Sequence, residues 1–142
     1  MRKYLLLFAV LFLSISASSQ DVFGKWKTID DETGEAKSVV EIYKKDGKVF
    51  GKILKLLRPQ DQEALCDKCT GVNYNKSVVG LEIIKELKKS NRYYKDGSIL
   101  DPENGKDYNC KIWIDEENPN ILNVRGYIAF FYRTQYWKRI TD

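Results

Sequence analysis

Turn signals recur along this chain at strand-length intervals, and that punctuation restricts it to a fold of many short strands. Asp30-Asp31-Glu32-Thr33-Gly34, Asp46-Gly47, Asp96-Gly97, Asn104-Gly105 and Asn118-Pro119-Asn120 all combine residues that suit tight turns. Between them lie β-rich runs at 22–29, 38–44, 48–57, 81–89, 98–101, 106–114, 121–128 and 133–140. No long helical pattern separates these runs, so neighbours in sequence are expected to pair antiparallel. The fold class is therefore all-β, an antiparallel meander barrel of eight or nine strands. Closing the sheet removes the exposed edges that a chain of this size would otherwise carry.

Period-two alternation assigns faces within the runs. In 106–114, Tyr108, Cys110, Ile112 and Ile114 share one face, with Asp107, Asn109, Lys111 and Trp113 on the other. In 121–128, Leu122, Val124 and Ile128 oppose Asn123, Arg125 and Tyr127. Asp46-Gly47 is a hairpin signal joining the second and third runs. The run 81–89 is ambiguous, since Ile83, Ile84 and Leu87 also fit a helical face; its shortness and the preceding Gly80 favour a strand. Residues 58–77 read as one long polar loop.

The chain opens on Met1-Arg2-Lys3, an apolar stretch from Tyr4 to Leu13, and small residues through Ser19. Basic start, short apolar centre and small-residue exit form the layout of a cleavable signal peptide over residues 1–19. The apolar stretch is shorter than the roughly 20 residues a spanning helix needs, so no transmembrane segment is expected after cleavage. No cysteine stands near the junction to carry a lipid. The working protein is then one barrel domain, residues 20–142, in the periplasm or secreted, and a monomer. Losing Arg2 and Lys3 lowers the basic count from 24 to 22 against 20 acidic residues. The remaining charges alternate in sign, so nucleic acid is not an expected partner, because phosphate binding needs a concentrated basic face.

The sequence contains no histidine, which removes Ser-His-Asp and Cys-His nucleophiles and His-based zinc sites. No catalytic residue, metal ligand set or cofactor is assigned. Asp101-Pro102-Glu103-Asn104-Gly105 could pass for a carboxylate pair of a glycosidase, but it reads better as a tight turn with Asp101 accepting from the backbone.

Three constellations remain. Gly24-Lys25-Trp26 at the first strand resembles the opening signature of lipocalin-like barrels, in which the Trp plugs one end and a basic residue from the last strand crosses it. Arg139 is placed for that role, and a cation over an indole contributes on the order of 1 kcal/mol. Cys66-Asp67-Lys68-Cys69 is a C-x-x-C motif, with Cys110 a third thiol. In an exported protein a structural disulfide is the default, and Cys66–Cys69, Cys66–Cys110 and Cys69–Cys110 are all open. A bridge from the loop to Cys110 would stabilise by about 3 to 4 kcal/mol. Redox and metal readings of the same thiols lack a βαβ context and a fourth ligand. Finally, Tyr127-Ile128-Ala129-Phe130-Phe131-Tyr132 is an aromatic run flanked by Arg125 and Arg133. At a barrel rim it would mark a ligand mouth, a partner surface or a membrane contact. Tyr94, Arg125, Tyr127, Arg133 and Tyr136 are the candidate ligand-binding residues, an inward Arg with Tyr hydroxyls being one way to hold a carboxylate head.

Segments spread over the whole mature chain resemble one family in the same order. They are residues 24–31, the Cys66-Asp67-Lys68-Cys69-Thr70-Gly71 motif, residues 99–110, Val124-Arg125-Gly126-Tyr127-Ile128 and Arg133-Thr134-Gln135-Tyr136-Trp137. They resemble a family of small exported bacterial proteins known as a domain of unknown function. The resemblance implies export, a lipocalin-like barrel and three thiols acting as a set, and no particular activity. Two departures, Tyr93-Tyr94 in place of a Trp and Phe130-Phe131-Tyr132 in place of a more polar, Gly-containing stretch, put extra aromatic surface near the expected mouth.

The sequence thus favours a non-enzymatic exported barrel that takes up a small apolar or amphipathic molecule. Its cavity is expected to open near residues 127–133. The alternatives are an envelope interaction module that acts through its outer surface and a cysteine-based redox or metal protein.

Overall fold

The computed structural model describes residues 21–141; the signal-type segment at 1–19 lies outside them. Eight antiparallel strands are present: β1 Gly24–Ile29, β2 Ala36–Lys45, β3 Lys48–Leu56, β4 Glu82–Ser90, β5 Tyr93–Asp101, β6 Lys106–Ile114, β7 Ile121–Ile128 and β8 Phe131–Arg139. Each pairs with the next, and β8 returns to β1 through Trp26↔Arg139 and Lys27↔Lys138, closing the barrel. The order is a plain meander, the topology that short turns between strands enforce. Two single-turn 3-10 segments, Pro59–Asp61 and Gly71–Asn73, lie in the long β3–β4 connection.

Alternation puts one side of each strand into the barrel. Trp26, Val40, Ile42, Ile53, Ile112, Leu122, Val124 and Trp137 are buried in one continuous core. The ambiguous run 81–89 is a strand because Ile84 and Leu87 both reach that core against β3 and β5. Phe50 turns outward instead, stacking on Tyr43 beneath Lys45 Nζ, which lies 4.2 Å from its ring centre.

One turn reading needs correction. Asp96-Gly97 lies inside β5, where the register with β6 slips between Tyr94 and Gly97. Asp96 has φ +64° and Glu86 on the facing strand has φ +60°, so the pair forms an irregularity that bends both strands. Gly97 passes so close to β4 that a Cβ there would fall 2.1 Å from the Lys85 carbonyl oxygen. The actual β4–β5 turn is at Asn91-Arg92, with Asn91 at φ +56°.

A meander sends alternate turns to opposite ends. The N-terminal residues and the β2–β3, β4–β5 and β6–β7 turns form one end. The β1–β2, β5–β6 and β7–β8 turns and the long β3–β4 loop form the other.

The candidate functional site: a lidded cavity

The first end is plugged. Trp26 is fully buried and its Nε1–H donates to the Val22 carbonyl at 2.8 Å. The Arg139 guanidinium lies 4.2 Å from the Trp26 ring centre and donates to the carbonyls of Phe23 (3.3 Å), Asp21 (2.9 Å) and Pro119. It thus ties the chain start and the β6–β7 loop across the indole. Tyr94 belongs to this plug, not to the mouth. Its hydroxyl donates to the Asp21 carboxylate at 3.0 Å and its ring meets Phe23 edge-on. Tyr94 is the second residue of β5, and β5 runs from the plugged end toward the mouth, which is why Tyr93-Tyr94 stand far from the aromatic hairpin. Burial, then the hydrogen bond to Asp21, pushes the Tyr94 hydroxyl up to about 12.

The second end opens into a cavity of about 670 Å³, within the usual size range of small-molecule sites. Its wall is apolar: Ile53, Leu56, Ile83, Ile99, Val124 and Trp137 line it. Polar groups interrupt that wall at three inward positions. Thr28 Oγ1 and Ser38 Oγ share a hydrogen bond of 2.6 Å between β1 and β2. Gln135 Oε1 accepts from Trp137 Nε1 at 3.1 Å, and Gln135 Nε2 makes no hydrogen bond among the described residues. Gly126 lines the same wall and leaves room there, since a Cβ would meet its nearest neighbour, Tyr108 Cβ, at an ordinary 3.6 Å.

The rim is charged but internally paired. Lys37 Nζ lies 2.8 Å from Glu103 Oε1, and Arg58 reaches both Asp61 (2.5 Å) and Glu103 (3.3 Å). Arg133 forms a two-pronged ion pair with Asp31. Lys37, then Arg58, holds the Glu103 carboxyl below its ordinary range.

The 57–81 loop lids this opening. Ala64, Leu65, Asp67, Lys68 and Val78 contribute to the cavity lining. The loop folds back on itself through a Leu65↔Ser77 bridge and backbone bonds from Cys66 to Lys76 (2.7 Å) and Val78 to Ala64 (3.0 Å). A Cys66–Cys69 disulfide closes its inner turn. That turn rests on the β5–β6 turn: Gly105 has φ +75°, and a Cβ there would fall 1.9 Å from the Lys68 carbonyl oxygen. So Asp101-Pro102-Glu103-Asn104-Gly105 is a turn that seats the lid, with Asp101 Oδ1 accepting from the Glu103 N–H. Of the three pairings open from the sequence, only the shortest is made. Cys110 is a free thiol buried inside the barrel, and burial raises it to about 12, which keeps it protonated and unreactive.

Of the five candidate ligand residues, Arg133 lines the cavity mouth. Arg125, Tyr127 and Tyr136 stand on the outer face, out of phase with inward Val124 and Trp137. There Arg125 is sandwiched, 5.0 Å from the Trp113 ring and 4.1 Å from the Tyr132 ring, and donates to Thr134 Oγ1. Lys111 continues this outer ladder at 3.9 Å from the Tyr93 ring. The cavity residues that sequence reasoning missed, Thr28, Ser38 and Gln135, did leave a signal. Each is a polar residue in phase with inward apolar neighbours, Trp26, Val40 and Trp137.

This geometry has a counterpart among solved structures. Protein HP1028 from the human pathogen Helicobacter pylori, described as belonging to the lipocalin family, superposes with a TM-score of 0.73. The match covers 86% of this chain and 84% of that one at 20% identity, a likeness of fold. No curated protein matches the sequence. The family described as "Uncharacterized protein conserved in bacteria (DUF2147)" matches residues 24–139, from the first residue of β1 to the last of β8, and the chain belongs to that family.

Proposed function

We propose that this protein is an exported, non-enzymatic carrier that holds one small, partly apolar molecule in the barrel cavity. The observation that carries the reading is the cavity itself: apolar walls, a few hydrogen-bonding groups set among them, and a lidded mouth. The signal-type segment at 1–19 and the Cys66–Cys69 disulfide support a destination outside the reducing cytoplasm. The rim refines the ligand class. Arg133 is already engaged by Asp31, and Lys37 and Arg58 by Glu103 and Asp61. A carboxylate head would have to displace an existing partner, whereas Thr28, Ser38 and the Gln135 amide offer neutral donors and acceptors. The favoured ligand therefore has an apolar body and an uncharged hydroxyl or carbonyl head.

The test is titration with the neutral fluorophore N-phenyl-1-naphthylamine. Saturable one-to-one binding with blue-shifted emission is expected. Gly126→Leu should abolish it while leaving the circular-dichroism spectrum unchanged, because the new side chain enters the cavity without a backbone clash. Non-saturable binding, or binding indifferent to Gly126→Leu, would overturn the reading.

A further inference from the structure

We infer that the open rim of the barrel is a docking surface for a lipid bilayer whose headgroup layer has no net charge. The large apolar side chains exposed on the described surface are not scattered. Four lie on the β7–β8 hairpin, Ile128, Phe130, Phe131 and Tyr132, and four on the lid loop; only Tyr136 lies elsewhere. Phe130 is 97% exposed and Phe131 78%, at the tip of a two-residue turn. A hairpin that holds two phenylalanines in water at one end of the molecule marks a contact with something apolar. The tip protrudes, which suits insertion among lipid headgroups, where aromatic rings settle readily.

Charge identifies the bilayer. Around the tip, Arg133 pairs with Asp31, and Lys37 and Arg58 with Glu103 and Asp61, while Asp30, Glu32 and Glu35 of the β1–β2 turn form no ion pair among the described residues. This end therefore has no excess of basic charge to draw in an anionic headgroup layer, and a layer without net charge is the one that lets the aromatic tip approach. Lys44, Lys88, Lys89 and Lys95 form no ion pair among the described residues and sit near the turns of the plugged end. An anionic membrane would draw that end down and lift the aromatic tip away. Lipid preference and salt dependence therefore report which end docks.

Docking would also set the cavity mouth against the membrane, because Ile128, Phe131 and Tyr132 line the cavity as well as facing outward. Passage of a ligand between the two rests on the carrier reading above; docking itself does not.

The experiment is co-sedimentation of the purified protein with phosphatidylcholine vesicles, at low and high salt, beside vesicles that contain phosphatidylglycerol. Binding to phosphatidylcholine that salt does not weaken is expected. Phe130→Asp should reduce it by about tenfold or more, without loss of folding since the side chain touches almost nothing. Phe130→Trp should bind, and brominated lipid should quench its fluorescence. Absence of binding, binding confined to anionic vesicles and abolished by salt, indifference to Phe130→Asp, or a Phe130-dependent dimer in sedimentation velocity without vesicle binding would each overturn the proposal. N-phenyl-1-naphthylamine titration of Phe130→Asp separates the two readings. Retained probe binding means that a docking failure leaves the cavity reading intact.

Discussion

The two ends of this barrel are made from the same eight strands, yet they handle exposed surface in opposite ways. At the plugged end a large indole is driven fully inside, an arginine is laid over it, and three backbone carbonyls are satisfied by that one guanidinium. At the open end the strands stop short of filling the interior, and a disulfide-closed loop lies across the gap. The plug consumes its polar groups in fixed hydrogen bonds. The mouth pairs its charges with one another at the surface, where such pairs contribute little to stability. The difference separates tasks: one end holds the fold together, and the other can vary in side chain and motion without loss of the barrel.

The largest effect should come from breaking the plug. Trp26→Ala removes a fully buried ring from the core, an alteration that costs about 3 to 5 kcal/mol. It also leaves the Val22 carbonyl without its donor and Arg139 without its platform. Urea denaturation should show a midpoint far below that of the parent protein, whereas Phe130→Asp at the mouth should leave the midpoint unmoved. A Trp26→Ala protein as stable as Phe130→Asp would erase the distinction between the ends.

A smaller effect is expected from opening the lid. The disulfide joins residues only three apart in sequence, so it constrains a short loop and contributes about 2 kcal/mol on the chain-entropy model. That is less than a bridge to Cys110 would have given. Cys66→Ser combined with Cys69→Ser should speed amide exchange across 57–81 and accelerate probe release from the cavity. Amides of Trp26, Arg139 and their strand partners should keep their protection. Uniform loss of protection would show that lid and plug are one cooperative unit.

Much of this was legible in the sequence because strands and turns are local. Period-two alternation already places Arg125 and Tyr127 opposite Val124, which is where they lie, and that outer face is at odds with their place among the candidate ligand-binding residues. The Trp26–Arg139 contact is the one that the resemblance to lipocalin-like barrels implies, and the closure of β8 onto β1 makes it. What failed was long-range or ambiguous. Asp96-Gly97 suits a turn and a mid-strand irregularity equally, and only the approach of Lys85 decides between them. Aromatic character suggests the mouth for Tyr94 but carries no strand direction, and β5 begins at the plugged end. The cysteine pairing depended on where the loop folds back, which no spacing reveals.

The finest test of the comparison is alkaline pH. The Tyr94 hydroxyl ionises at about 12 in the folded protein against an ordinary value near 10. Because the folded value is raised, its contribution to stability is fully present below about 10 and is lost as pH rises from there through about 12. Ionisation removes the proton that Tyr94 donates to Asp21 and sets two negative charges face to face at the plug. Glu103 behaves in the opposite sense. Its lowered value means that its pairing with Lys37 is fully present above the ordinary carboxylate range and is lost only as pH falls below that range through the lowered value, at the mouth. Alkali should therefore loosen the plug through Tyr94, alongside Tyr43 and the interior Cys110, which are also raised to about 12, and acid should loosen Glu103's pairing at the rim. Tyr94→Phe should lessen the alkaline fall in thermal midpoint between pH 10 and 12, the rest of the fall belonging to Tyr43 and Cys110, and leave the acid limb as it was. If Tyr94→Phe changed both limbs alike, the two ends would not be titrating independently, and the division of labour between plug and mouth would have to be given up.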